Sequence, residues 1–107
     1  MELVKINDYA DYKLKSLVNK LHHIKYFGSK DLALKYVKRI YNFIYTIPTQ
    51  QKKLTKNKNL GSHYCTYKPN KQTTYFITFD IEGDLFLIKN VFNNHTIEYP
   101  RYIEGIK

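Results

Sequence analysis

The chain has 107 residues, and eighteen Lys and Arg against nine Asp and Glu give it a formal charge of +9. A chain of this size holds one hydrophobic core, so 1–107 reads as a single domain, and an apolar content of 43% excludes a wholly disordered protein. One cysteine excludes an internal disulfide, and the lack of a signal peptide or an apolar run of spanning length sets the expectation of a soluble, cytoplasmic protein with no membrane partner.

Residues 3–6 are apolar at alternate positions and read as a short initial strand. Asp8 and Asp11 then mark a helix start, with Asp8 as cap and an acid near the positive end of the dipole. Leu14, Leu17, Val18, Leu21 and Ile24 follow at helical spacing, which predicts a first helix over 9–25. Tyr26, Phe27 and Gly28 break it, and Ser29 with Asp31 opens a second helix. Its apolar stripe is Ala33, Tyr36, Val37, Ile40, Phe43, Ile44 and Ile47, and Pro48 ends it. Residues 49–59 are polar and basic and read as a mobile loop.

The next stretch, 60–93, organises the chain. Residues 61–67 form a strand that ends in the turn-forming cluster Lys68, Pro69, Asn70 and Lys71. In 75–81 the apolar residues Tyr75, Ile77, Phe79 and Ile81 share one face, and Thr74, Phe76, Thr78 and Asp80 share the other. Glu82, Gly83 and Asp84 suit a tight turn, and 85–92 is again β-prone, so three strands form a meander. A three-stranded sheet is stable only when its apolar side is covered. Two amphipathic helices joined by a few residues supply that cover, giving an α+β fold in which an antiparallel β-meander, with or without the N-terminal strand, packs against an α-helical hairpin. Leu17, Leu21, Val37, Ile40, Ile44, Ile77, Phe79 and Ile88 are the expected core.

Charge is unevenly spread. No Asp or Glu occurs from Leu32 to Phe79, whereas Lys35, Lys38, Arg39, Lys52, Lys53, Lys56, Lys58, Lys68 and Lys71 all lie there. A polycation implies a phosphate-rich partner, either nucleic acid or the ribosome; the plainer alternative is a solvated lysine-rich surface raised by A+T-rich coding. Metal chemistry has little to work with. His22 and His23 project about 100° apart on a helix and cannot both face one ion, and the basic middle has no carboxylate cluster. Cys65 lies mid-strand without a glycine-flanked elbow, as a buried thiol would. What remains is metal-free RNA cleavage by the 2′-hydroxyl, which needs a proton acceptor, a proton donor and cations on the phosphorane. His63, His95, Tyr99, Arg101 and Lys52, Lys53, Lys56 and Lys58 are competent for these roles. Each also has a structural alternative: an exposed strand residue for His63, a turn residue for His95, a packing aromatic for Tyr99.

The layout as a whole resembles the RelE/ParE superfamily of type II toxins: a short strand, a helix hairpin ending in Ile47-Pro48, a basic loop, three meandering strands and a tyrosine-bearing tail. The resemblance is most specific over 33–48, in Gly61-Ser62-His63-Tyr64, in Tyr75-Phe76-Ile77-Thr78-Phe79 and in Leu87-Ile88-Lys89-Asn90-Val91. It implies a toxin neutralised by a small, acidic cognate antitoxin. One branch of the superfamily cuts mRNA in the ribosomal A site and another acts on DNA gyrase; the charge of this chain fits the former. Where the nuclease branch carries basic residues on the first meander strand, this chain has Cys65 and Tyr67; at the later strand arginines it has Phe76 and Asn93 or Asn94. The tail tyrosine is kept as Tyr99, with His95 four residues before it. In the reading that the resemblance implies, His95 and Tyr99 supply proton transfer or stacking on a base, with His95 as a substitute acid or phosphate ligand, and His63, Arg101 and the four loop lysines hold phosphates, with no metal and no cofactor. Two other functions remain open: a non-catalytic toxin acting on gyrase or another protein, and a basic RNA-binding domain using Tyr64, Tyr67 and Phe76 as stacking platforms.

Overall fold

The computed structural model describes residues 2–23, 29–55 and 59–96. In chain order these build β1 (Leu3–Ile6), α1 (Asp8–His23), α2 (Lys30–Ile44), a 3₁₀ turn (Ile47–Thr49), β2 (Lys53–Leu54), β3 (His63–Tyr67), β4 (Tyr75–Glu82) and β5 (Leu85–Asn93). The strands form one sheet in the order β1-β5-β4-β3-β2, antiparallel except where β1 runs parallel to β5. The Tyr26-Phe27-Gly28 break, Ile24, Lys56, Lys58, Tyr99, Pro100 and Arg101 lie outside the described residues.

Helix α1 begins one residue earlier than its sequence signal. Asn7, not Asp8, is the cap: its Oδ1 accepts from Ala10 N at 2.8 Å and its carbonyl from Asp11 N at 3.0 Å. Asp8 and Asp11 then both occupy the first turn, where their charge opposes the positive end of the dipole. Ser29 caps α2 as expected, its hydroxyl accepting from Leu32 N at 3.3 Å. Pro48 cannot donate to a helical ladder, so α2 stops at Ile44 and the chain tightens into the 3₁₀ turn.

Ala10, Leu14, Val18 and Leu21 of α1 join Ala33, Tyr36, Val37, Ile40 and Ile44 of α2 in one buried cluster. The sheet contributes Cys65, Tyr75, Ile77, Phe79, Phe86, Ile88 and Val91 to it. The expected core residues are buried except Leu17, which lies half-buried against the cluster. β1 extends the same apolar face, because its register sets Val4 opposite Phe86 and Ile6 opposite Ile88.

The segment read as a mobile loop is partly ordered into the sheet. Lys53 and Leu54 pair with Tyr64 and His63, adding a two-residue edge strand to the meander. So short an edge leaves few unpaired backbone groups for another strand to capture. Gly61 makes the approach to β3 possible: its φ is 133°, and a Cβ there would lie 2.8 Å from the Phe79 carbonyl oxygen.

Two features shape the central hairpin. Gly83 takes φ 58° in the two-residue loop between the paired Glu82 and Leu85. A bulge then interrupts the ladder, since Thr78 pairs with Asn90 but Phe79 pairs with Ile88, leaving Lys89 as an extra residue. Ile88 and Val91 are three apart, and only such an insertion lets both join the core facing the helices. On the opposite face Phe76 and Phe92 stack at 5.5 Å beside Thr78. Thr78 is fully buried, and its Oγ1 has no hydrogen-bond partner among the described residues.

The two helices are also latched by polar groups. Tyr41 donates its hydroxyl hydrogen to Asp11 Oδ1 at 2.6 Å, and Lys15 Nζ lies 2.8 Å from Asp11 Oδ2. Lys15, and then Tyr41, hold the Asp11 carboxyl below its ordinary value, while burial and then Asp11 push the Tyr41 phenol up.

Two outcomes test these contacts in chemical denaturation. Ile40→Ala is expected to cost about 2–5 kcal/mol, as for other buried large-to-small changes, whereas Thr78→Val removes an orphaned hydroxyl and is expected to be neutral or to stabilise by about 1 kcal/mol. Because Asp11 is depressed in the folded state, its contribution is present above the unfolded carboxylate value and lost as pH falls through the folded one. Tyr41→Phe should therefore lower stability near neutrality by about 1 kcal/mol and shrink the acid limb of the stability–pH curve. An unchanged acid limb would show that the latch does not contribute.

Candidate functional site

The residues singled out for phosphate chemistry fall into two separate regions. The first is the corner where β2 and β3 meet. His63 lies on the helix side of the sheet, in line with Cys65 and Tyr67, and its ring stacks on Phe79 at 6.0 Å and 16°. Its Nδ1 is 2.7 Å from Ser62 Oγ. Ser62 is held in turn by its backbone N–H, which donates to Asp80 Oδ1 at 2.8 Å, and Lys89 sits 3.4 Å from the other carboxylate oxygen.

Lys52 does not stand free at this corner. Its ammonium donates to the carbonyls of Pro48 at 3.0 Å and Gln50 at 2.9 Å, closing the end of the 3₁₀ turn, and it lies 5.6 Å from the centre of the Phe86 ring. Lys53, by contrast, is exposed, and its pairing with Tyr64 places it on the face of the sheet away from the helices. Cys65 is buried, and burial pushes its thiol up, so it is not poised as a nucleophile.

The second region is the turn after β5. Asn93 Oδ1 accepts from the His95 backbone N–H at 2.8 Å, and the Asn93 carbonyl accepts from Thr96 N at 3.2 Å and from Thr96 Oγ1 at 2.9 Å. Asn94 stitches this turn to the connection between β3 and β4: its Oδ1 accepts from Thr74 N at 2.9 Å and its Nδ2 donates to the Gln72 carbonyl at 3.1 Å. His95 is exposed, yet its ring is held, with Nε2 3.2 Å from the hydroxyl of the buried Thr73. That contact turns Nε2 toward Thr73.

Beside this turn a cleft of about 330 Å³ opens between one flank of α1 and the end of β5. Tyr12, Ser16 and Lys20 line it from the helix and Tyr75, Asn93 and Thr96 from the sheet, so the His95 turn forms its rim. Lys13, also on its wall, donates to Asn90 Oδ1 at 2.7 Å.

The structure does not bring the two regions together. His63 pairs opposite Phe79, and Asn93 pairs opposite Tyr75, four residues away along β4, a separation of roughly 13 Å. Tyr99, Arg101, Lys56 and Lys58 lie outside the described residues, and among the described residues no three His, Cys, Asp or Glu side chains converge as metal ligands would. The residues that position His95, namely Thr73, Asn93 and Asn94, carry no catalytic signature in the sequence; their only signal is the turn chemistry of an Asn pair after an apolar run.

No helix among the described residues is long and apolar enough to cross a membrane. No family model, no curated protein and no solved structure matches the chain.

Asn94→Ala removes two hydrogen bonds from the latch and is expected to cost about 1–2 kcal/mol. Faster amide exchange at Thr74, with exchange in α2 unchanged, would locate the loss at the His95 turn; equal protection in both proteins would remove Asn94 from that role.

Proposed function

We propose that this protein is the toxin of a type II toxin–antitoxin pair, RelE/ParE-like, acting as a metal-independent, ribosome-dependent mRNA endoribonuclease in the cytoplasm. The observation that carries the reading is His95: an exposed imidazole within hydrogen-bond reach of a buried hydroxyl, in a turn whose residues Asn93 and Thr96 line a cleft that bears Lys13 and Lys20. A general acid or base must be both accessible and oriented, and His95 meets both requirements. The order strand, helix pair, meander agrees with the layout on which the resemblance rests.

In this reaction the 2′-hydroxyl attacks the adjacent phosphorus, His95 and Tyr99 exchange protons with the attacking and leaving oxygens, and Arg101 with Lys56 and Lys58 offsets charge on the phosphorane, while Lys53, at the β2–β3 corner, holds a phosphate further along the RNA. His63 and Lys52 are left with structural work, His63 on Phe79 and Lys52 on two carbonyls. mRNA and the ribosome are the partners in action, and a small acidic antitoxin is the partner in restraint.

The scatter of basic groups favours one rival, a non-catalytic toxin that binds gyrase or another protein. A stacking RNA binder is less well supported. Tyr67 packs against Phe43 on the helix side at 4.9 Å, Tyr64 packs on Phe76 at 6.0 Å, and Phe76 is only 6% exposed, so none of the three presents an open ring face shared with the others.

The test is primer extension on a translated message, beside a gyrase supercoiling assay. His95→Ala and Tyr99→Phe are each expected to lower cleavage about 100- to 10,000-fold while leaving the fold intact by circular dichroism. Cleavage that persists in both variants removes these residues from the reaction. No cleavage by the wild-type protein, with gyrase inhibited, moves the protein to the rival reading.

A further inference from the structure

Strand β1 ends opposite Ile88, whereas β5 continues to Asn93, so the last residues of β5 have no strand on that side and meet the flank of α1 instead. The cleft of about 330 Å³ is this gap. Leu14, Tyr75 and Val91 give it a buried apolar lining, and Leu17 adds a half-buried one. Tyr12, Ser16 and Lys20 follow at i, i+4 and i+8 along α1, so they stand in one row at its helical edge. Tyr12 keeps 68% of its surface exposed. Lys20 is exposed and has no carboxylate partner among the described residues, and Ser16 Oγ and Asn93 Nδ2 have no hydrogen-bond partner among them. Lys13 is already engaged, by Asn90 Oδ1 and the Tyr9 ring. None of the described residues that line the cleft is acidic.

We propose that this cleft binds a small aromatic carboxylate, one or two fused rings bearing a single short acid arm. The apolar lining and the Tyr12 ring take the aromatic part, which loses contact with water on entry. Lys20 Nζ and Ser16 Oγ hold the carboxylate by charge-assisted hydrogen bonds, and Asn93 Nδ2 supplies a donor from the opposite wall. Small-molecule pockets of this kind, apolar with a few placed polar groups, span about 300–1,000 Å³. This one lies at the small end, which suits a bicyclic ring. A phosphate dianion fits less well, because Lys13 is engaged and a single lysine faces the charge. A cationic ligand meets two lysines and a chain of charge +9. The inference goes beyond the toxin reading and does not rest on it, since it needs neither RNA nor proton transfer by His95.

The probe is indole-3-acetate, titrated into the full chain and followed by the anisotropy of its own indole emission, which the chain does not mask because it has no Trp. Indole-3-acetamide, the same ring without the charge, is the control ligand. Saturable binding of the acid is expected, with Kd at or below about 1 mM, as for a fragment of that size, and roughly tenfold weaker binding of the amide. Lys20→Gln should weaken the acid roughly tenfold and leave the amide unchanged, whereas Tyr12→Ala should weaken both about fivefold. Lys35→Gln removes the same charge from the groove between α1 and α2, on the other flank of α1, and should change neither. Circular dichroism confirms that each variant is folded. Equal affinity for acid and amide, an acid affinity unmoved by Lys20→Gln, or the same loss from Lys35→Gln overturns the proposal. So does tighter binding of adenosine 5′-monophosphate at the same site, which would make the cleft a nucleotide site. Failure of this inference and failure of the toxin reading are read apart: absent indole binding removes the ligand site whether or not the wild-type protein cuts a translated message, and saturable, Lys20-dependent binding sustains it even where no cleavage is found.

Discussion

The fully buried residues Leu14, Ile40, Ile44, Ile77, Phe79 and Ile88 come from both helices and from the two central strands. Their common burial is the constraint on which the other features depend. A sheet only three long strands wide, with two short ones at its edges, has too little contact of its own to stay ordered, and two helices of fifteen or sixteen residues are marginal in isolation. Each layer becomes stable only by covering the other. The polar features follow from that packing: the Tyr41–Asp11 latch exists because the stripes bring α1 and α2 side by side, and Lys52 reaches two carbonyls because Pro48 turns the chain at the end of α2.

Charge is then distributed around a nearly neutral core. Between Leu32 and Phe79 the cations have no nearby acids in sequence, and the structure sends them in different directions. Lys35 and Lys38 line the groove between the helices, Lys52 turns inward to carbonyls, and Lys53 lies on the face of the sheet away from the helices. A run of like charge in the sequence is therefore not one patch in space. This dispersal is why Lys52, Lys53 and His63 do not converge on one point at the β2–β3 corner.

Much of the fold was legible because its signals are periodic. The helix stripes and the alternation in β4 are repeated over several turns or residues, so one misplaced position does not erase them. What the sequence concealed rests on single residues. Asn7 takes the cap that Asp8 was expected to supply, since either side chain can cap and only the path of the chain decides. Lys53 and Leu54 read as loop because a two-residue strand has no period. The Lys89 bulge was invisible because β5 is apolar on both faces, so its break in alternation had nothing to stand out against. The site was less legible than the fold. His95 could be named for its chemistry, but Thr73 and Asn94, which hold it and its turn, are ordinary polar residues until the ends of β4 and β5 are seen side by side.

The extra residue at Lys89 has a consequence beyond the hairpin. In a regular strand, shifting the chain by one position exchanges its two faces, and everything after the shift inherits the change. With Lys89 inserted, Val91 and Asn93 take the side occupied by Ile88 and Phe86, and the chain leaves the sheet after Asn93 with that parity. The bulge thus sets the face from which Asn93, and with it the turn that carries His95, leaves the sheet. Replacing Lys89 would cost only its contact with the half-exposed Asp80, whereas deleting the position would exchange the faces taken by Val91 and Asn93.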